Sequence, residues 1–237
     1  MGKFDKWLYY DIDEKRYKYK CKIMINMEKD TLKNNLIEYE LSNPIKVIGI
    51  GGRGCNAANY KYRAGIADMD LIVCDSDGKS LERSPVSAKI LLGDTGLGAE
   101  GKPEVAKNMA IERREEIKKV IFPNTKMLFI VAGMGGGTGS GVAHVVAEIA
   151  KSITDDNAKS KIHVGAVVTT PLSFEGPRRK RQSEEGVQEL KKYVDSITIM
   201  DNNKLRDYDN LSMANAFKIA DDMVFEVIKS MIETFKW

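Results

Sequence analysis

Apolar and polar positions follow two textures along the chain. From Tyr17 to Met27 the odd positions read Tyr17, Tyr19, Cys21, Ile23, Ile25 and Met27, with Lys18, Lys20 and Lys22 between them. That period of two predicts a half-buried strand, and lysines spaced along an edge strand also keep it from pairing with another chain. Beyond Pro44 the pattern changes to short apolar runs alternating with helical stretches. Ile45 to Ile50, Leu71 to Cys74, Ile90 to Leu92, Met127 to Ala132, Val164 to Val168 and Ile197 to Met200 predict strands. Met127 to Ala132 is apolar throughout, as a central parallel strand buried on both faces should be.

The stretches between these runs carry a helical period. Asn56 to about Arg63 is one. Pro103 stands where a first helical turn tolerates it, and the helix that follows keeps Ile117, Val120 and Ile121 on one stripe before Pro123. Val142, Val145, Val146, Ile149 and Ile153 share one face of the next helix. A charged helix runs from Gly176 through Val194, and Ser212 is placed to cap a last long helix with Phe217, Ala220, Val224, Val227 and Met231 inward. Repeated strand, loop and helix units predict an α/β, Rossmann-like, doubly wound and mostly parallel sheet with helices on both faces. Residues 1–44 read as an extension carrying a strand, and 45–237 as the main domain.

Composition narrows this picture. The 237 residues include 37 Lys plus Arg against 34 Asp plus Glu, a net charge of +3, with 43% apolar residues. This suits one large globular domain with an appendage, and it excludes a disordered chain or a collagen. Interspersed charges near balance give no footprint for nucleic acid, and the run Arg178 to Arg181 beside Glu184 and Glu185 reads as a solvated face. No apolar run approaches the ~20 residues a bilayer requires, so no membrane insertion is expected and the chain is expected in the cytosol. Cys21, Cys55 and Cys74 are odd in number and lack CxxC spacing, which supports neither a disulfide framework nor a structural zinc.

The candidate chemistry lies in the glycines. Gly49-Ile50-Gly51-Gly52-Arg53-Gly54 fits GxGxxG, and Asp75 follows Gly54 by 21 positions at the end of the next strand. Alone this is a dinucleotide fingerprint, with glycines admitting a pyrophosphate and the acid holding a ribose hydroxyl, and a dehydrogenase is one reading. A second loop weighs against it. In Gly133 to Gly141 six of nine residues are glycine, so many N–H groups can point into one concavity, and Thr138 adds a hydroxyl. Two phosphate cradles suit a nucleoside triphosphate, and the absence of GxxxxGK[ST] excludes an ordinary P-loop.

Gly135 to Gly141, GGGTGSG, resembles the signature loop of the tubulin and FtsZ superfamily, and its surroundings, AGMGGGTGSG followed by VVAEIAK, are similar to the bacterial cell-division FtsZ branch. The resemblance continues at GIGGRGCNA (Gly49 to Ala57), TGLGAEGKPEV (Thr95 to Val105), TTPLSFEG (Thr169 to Gly176) and VDSITIMDNNKL (Val194 to Leu205), and covers about Ile45 to the end. It implies a GTP or GDP site. Gly52, Arg53, Gly54, Cys55 and Asn56 would wrap the α and β phosphates, and Gly135, Gly136, Gly137, Thr138 and Gly139 would hold the β and γ phosphates. Glu175 would meet the ribose, Arg179 would approach the nucleotide, and Asn202, Phe217 and Asp221 would form the guanine pocket. An acceptor-only carboxylate agrees with this independently, since guanine turns N1 and N2 hydrogens toward it. Mg²⁺ is compatible with a triphosphate, and no metal ligand is assigned.

Several positions depart from the family. Arg53 stands where glycine is usual: its side chain is tolerable if it points to solvent, strengthens binding if its guanidinium lies beside the phosphates, or else imposes a backbone angle that arginine dislikes. Cys55 also differs, and Tyr60 replaces a frequent arginine. The sequence ends at Trp237, before the acidic loop and second domain that complete the family's shared active site, so no catalytic residue is assigned. GTP turnover by the chain alone is expected to be weak or absent. Itself or full-length FtsZ-type subunits, stacked head to tail, are the expected partners, alongside other division proteins at a cytoplasmic division site, and the chain would polymerise or cap a filament end. The alternatives are a non-hydrolysing GTP-binding regulator, self-contained turnover through Asp75, Asp77 or Asp94, a dinucleotide oxidoreductase, and an interaction module dominated by residues 1–44.

Overall fold

A computed structural model describes residues 6–11, 16–21, 41–65, 68–122, 124–153, 162–207 and 213–234. The chain divides into two compact units, Met1–Ser42 and Asn43–Trp237. The first contains an antiparallel hairpin of β1 (Lys6–Asp11) and β2 (Arg16–Cys21), with Leu8 opposite Tyr19. The strand expected over Tyr17 to Met27 is thus present as far as Cys21, and residues 22–27 lie outside the described residues. Its partner, KWLYYD, lacks a clean alternation, but its aromatic residues have strong strand propensity.

The second unit is built on six strands: β3 (Ile45–Ile50), β4 (Asp70–Asp75), β5 (Ala88–Leu91), β6 (Met127–Gly133), β7 (His163–Thr170) and β8 (Ser196–Asp201). Their spatial order is β5-β4-β3-β6-β7-β8, and every neighbouring pair is parallel. The chain therefore winds outward from β3 through β4 to β5, returns to the centre, and winds the other way from β6. The reversal falls between β3 and β6, which opens a crevice at their carboxyl ends.

Helices cover both faces. Val47, Val73, Phe129, Val131 and Val167 share a core with Cys55, Ala57 and Ala58 of α1 (Gly51–Arg63) and with Val224, Phe225 and Ile228 near the C-terminal end of the sequence. Those last three belong to a long helix, Met213–Thr234. The intervening Ile48, Ile72, Ile130 and Ala166 are equally buried, so the opposite face is covered too. This is why the strands read as unbroken apolar runs. Gly165 lies opposite Phe129, where a Cβ would approach the Phe129 ring to 2.7 Å.

The remaining helices are α2 (Gly78–Glu82), α3 (Pro103–Glu112), α4 (Arg114–Ile121), α5 (Gly137–Ser152) and α6 (Pro177–Leu190), followed by the long helix, here α7. The stretch from Pro103 to Ile121 is two helices rather than one, because Arg113 leaves helical geometry with φ −93 and ψ 15. Two helices begin earlier than their apolar periods indicate: α1 at Gly51 instead of Asn56, and α5 at Gly137 instead of Val142. Glycine disfavours a helix interior, yet here the first turns need it for contact. The expected Ser212 cap lies outside the described residues.

Lys46 fastens the opposite end of the sheet. It is fully buried, and its ammonium donates to the Val120 carbonyl at 3.1 Å and the Ile121 carbonyl at 3.4 Å, two acceptors that the end of α4 leaves unspent. Burial lowers its pKa to about 8, with the Asp70 carboxylate opposing the shift.

The α3 and α5 contact is equally tight: a Cβ on Gly141 would fall 2.1 Å from the Pro103 carbonyl oxygen, whereas a Cβ on Gly52 would meet nothing within 4 Å. Thermal unfolding should separate the two positions. Gly141→Ala is expected to cost about 1–3 kcal/mol through forced repacking, and Gly52→Ala should change stability by less than about 1 kcal/mol.

Candidate functional site

The crevice is flanked by the starts of α1 and α5. Ile50 and Gly136 precede these helices, and neither start is capped by a side chain. Each leaves backbone N–H groups unspent within its first turn. The two starts touch: Gly51, at φ +68, would place a Cβ 3.2 Å from both the Gly139 nitrogen and the Thr138 Cβ. Two positive helix ends therefore face one concavity, a setting that favours an anion.

The glycines divide by task. A Cβ on Gly54 would sit 2.2 Å from the Val131 carbonyl oxygen, and one on Gly139 would sit 2.1 Å from that of Gly133. These residues seat the helices on the strand ends. Gly52 and Gly136 meet nothing within 4 Å and leave the concavity open. Gly135, at φ +95, is buried behind it, where its N–H donates to Ser140 Oγ at 2.8 Å.

The resulting cleft has a volume of about 410 Å³ and is lined by Gly51 to Arg53, Gly136 to Gly139, Thr169 to Leu172, Glu175, Arg179, Asn202 and Phe217, among others. Of the fifteen residues nominated from sequence, Gly54, Cys55, Asn56, Gly135 and Asp221 do not line it. Gly54 and Gly135 shape it from behind. Cys55 is buried with its thiol toward the Gly49 and Cys74 carbonyls at 3.5 and 3.6 Å, and burial pushes that thiol up. Asn56 is exposed on α1.

Thr138 is held by a buried polar chain. Its hydroxyl is 2.8 Å from Ser76 Oγ, and Asp75 beneath accepts from the Ser76 N–H at 2.7 Å and the Asp77 N–H at 3.4 Å. Burial raises the Asp75 carboxyl above its ordinary value. Asp75 therefore supports a turn, Asp77 caps α2 through the Lys79 and Ser80 N–H groups, and Asp94 pairs with Arg113 at 2.6 Å. Glu175 accepts from the Leu172 N–H at 2.7 Å and is ion-paired with Arg179. Among the described residues, no group of three His, Cys, Asp or Glu side chains is arranged to hold a metal ion.

At the far end of the cleft, Arg53 turns inward. Its Nη1 is 2.9 Å from Asp221 Oδ1, and its guanidinium carbon lies 5.0 Å from the centre of the Phe217 ring. Burial raises the Asp221 carboxyl to about 6; Arg53 opposes that shift and Asp222 reinforces it. Tyr60, one of the positions that depart from the family, donates to Asp222 at 3.0 Å. Arg53 has ordinary helical backbone, so the strain considered from sequence is absent.

Sequence reasoning did not nominate Ser76 or the cleft-lining Thr169, Thr170, Pro171 and Leu172. The threonines carried a readable signal: two hydroxyl residues followed by proline, immediately beyond the apolar run Val164 to Val168, at a strand's carboxyl end. Ser76 carried none, because its partner is 62 positions away.

These features define a doubly wound α/β domain with an anion-accepting cleft at its switch point. The profile of the Tubulin/FtsZ family, GTPase domain, matches residues 44–210. The chain is 37% identical over 212 residues to the cell division protein FtsZ of Porphyromonas gingivalis, covering 87% of this chain and 45% of that protein. To the cell division protein FtsZ of Wigglesworthia glossinidia brevipalpis it is 38% identical over 202 residues, covering 83% and 50%. The chain belongs to the tubulin/FtsZ family of GTPase domains, and it spans about half the length of these curated relatives. An empty FtsZ dimer from M. jannaschii superposes with a TM-score of 0.70 at 36% identity, over 81% of this chain and 55% of that one. CetZ2 from Haloferax volcanii, solved as a GTPgS bound protofilament, shares the fold with a TM-score of 0.67 at 22% identity, over 77% of this chain and 56% of that one. No helix among the described residues is long and apolar enough to cross a membrane.

The Asp221 environment sets a pH signature for the empty domain. Its folded pKa of about 6 lies above the ordinary 3.8, so between those values the folded state binds more protons than the unfolded state, and this group's contribution to stability falls as pH rises. Asp221→Asn removes the titration. Measured by thermal unfolding, the melting temperature of the variant relative to the parent should rise between pH 4.5 and 7 and level off above that range.

Proposed function

We propose that this domain binds GTP and GDP in the switch-point cleft. The observation that carries the reading is the pairing of two uncapped helix starts with an amide and an aromatic ring on the wall of one cleft, where the cleft-lining Arg53 is ion-paired to the Asp221 carboxylate behind it. In the first turn of α1, Gly52 and the Arg53 backbone face the α and β phosphates, with Gly54 behind them and Cys55 and Asn56 outside the cleft. Gly136 to Gly139, with the Thr138 hydroxyl, face the β and γ phosphates, and Gly135 shapes the cleft from behind. Glu175 meets the ribose and Arg179 flanks it, while Asn202, Phe217 and Asp221 receive guanine. The fit is chemical: the phosphate end offers N–H and O–H donors, and the base end offers acceptors for guanine's donor edge. Any Mg²⁺ would be carried by the phosphate oxygens and water, since no protein cage is present among the described residues.

Hydrolysis requires a positioned water in addition to phosphate binding. Glu175 is the carboxylate among the cleft-lining residues, and it is committed to the Leu172 N–H and Arg179. The reading is therefore of a domain that holds nucleotide and turns it over slowly by itself, with the water-positioning acid supplied by a neighbouring subunit. Such subunits, this chain or full-length FtsZ-type proteins, would stack head to tail in a cytoplasmic division apparatus. This chain would extend or cap the filament, and other division proteins could bind it there. Nucleic acid has no part in this reading.

Equilibrium binding tests the site. GTP and GDP should bind at least ~100-fold more tightly than ATP, and Asp221→Ala should bring the three nucleotides to within a few-fold of one another. An unchanged preference for guanine in that variant sinks the base assignment. Phosphate release tests the shared chemistry: turnover per chain should be slow in dilute solution and climb on adding a complete FtsZ. Fast turnover independent of concentration and lost in Asp94→Ala would favour self-contained hydrolysis instead.

A further inference from the structure

We propose that Arg53 is a built-in competitor for the nucleotide base: in the empty domain its guanidinium fills the base subsite, and an incoming guanine must displace it. This rests on the base assignment above and adds to it a residue that sets affinity.

The chemistry of the two groups is parallel. Guanine presents N1–H and N2–H donors at the edge of a plane, and a guanidinium presents a planar fork of N–H donors. Either can meet a carboxylate with its edge while laying its face on an aromatic ring. Arg53 occupies both positions, with Nη1 2.9 Å from Asp221 Oδ1 and its central carbon 5.0 Å from the Phe217 ring centre. Arg53 lines the cleft while Asp221 does not, so the carboxylate is screened from the cleft by the arginine that pairs with it.

The surroundings are shaped for this side chain. Gly133 lies under its stem, and a Cβ there would approach the Arg53 Cβ to 2.7 Å and its Cγ to 3.0 Å. The occupant is nevertheless incompletely satisfied. Nε and Nη2 of Arg53 and Oδ1 of Asp221 are buried without a hydrogen-bond partner among the described residues, so the 2.9 Å contact is an ion pair without hydrogen-bond alignment. Buried donors left unmade disfavour this conformation, so the guanidinium holds the subsite without locking it. Guanine can supply the same contacts, whereas adenine offers an acceptor at N1 and replaces the arginine less well. Competition with the side chain therefore raises the threshold for every base by the same factor.

The measurement is the affinity of guanosine, GDP and ADP for the parent domain, Arg53→Ala and Arg53→Lys. Guanosine lacks phosphates and isolates the base subsite. If Arg53 occupies the subsite in about nine molecules of ten, removing it should tighten guanosine and GDP by ~10-fold. Arg53→Lys, which keeps the charge and loses the planar fork, should tighten them by a smaller factor, and it serves as the readout if the alanine variant does not fold. ADP should gain by the same factor as GDP in the alanine variant, leaving their ratio unchanged. Unchanged or weakened guanosine binding in both variants overturns the proposal, and a loss confined to GDP marks Arg53 as a phosphate ligand instead. Asp221→Asn separates this result from a failure of the site itself. If guanine preference survives that change, the base assignment falls; if it is lost while neither Arg53 variant binds guanosine more tightly, only the competitor falls.

Discussion

Two backbone contacts govern the arrangement of the domain: Gly54 against the Val131 carbonyl and Gly139 against the Gly133 carbonyl. Any side chain at either glycine would overlap a carbonyl oxygen, so the contacts exist only because the Cβ atoms are missing. They let α1 start directly on the end of β3, and bring α5 back onto the end of β6 after the three residues Met134 to Gly136. The adjacent starts then point their unspent amides into the same space. The polar chain from Asp75 through Ser76 to Thr138 fixes the hydroxyl that completes that wall.

The cleft joins two kinds of recognition. At the helix starts the donors belong to the main chain and are in place before anything binds, because the helices themselves hold them. At the other end the groups are side chains on different elements, Phe217 and Asp221 on α7 and Asn202 just past β8. Side chains can find partners within the protein, as Asp221 does with Arg53. The anion-accepting character of the cleft is thus a property of the fold, whereas its side-chain wall depends on what neighbouring side chains do.

Much of the fold was legible because the four central strands are buried on both faces and followed by glycine or turn residues. The runs from Ile45 to Ile50 and Met127 to Ala132 left little freedom, and the spacing from Val142 to Ile153 fixed a helix face. Helix starts were less legible. A helix of consecutive glycines violates propensity, and only contacts with distant residues such as Val131 and Pro103 explain it. Ten of the fifteen nominated residues line the cleft, and the others support it from behind or stand outside it. Arg53 shows the limit of reading a motif: its position in the glycine loop places its Cα in the first turn of α1, while its side-chain length carries the charge to Asp221 and Phe217.

Lys46 gives this architecture a second meaning. At the base of the sheet its buried ammonium consumes the terminal carbonyls of α4, while at the top α1 and α5 retain open donors. One pole of the domain is internally neutralised and the other is left electrostatically hungry. The domain therefore has an intrinsic polarity before any ligand or neighbour arrives, with cohesion concentrated at one pole and receptivity at the other. Sequence drift at the closed pole would show itself as altered folding, and drift at the open pole as altered recognition.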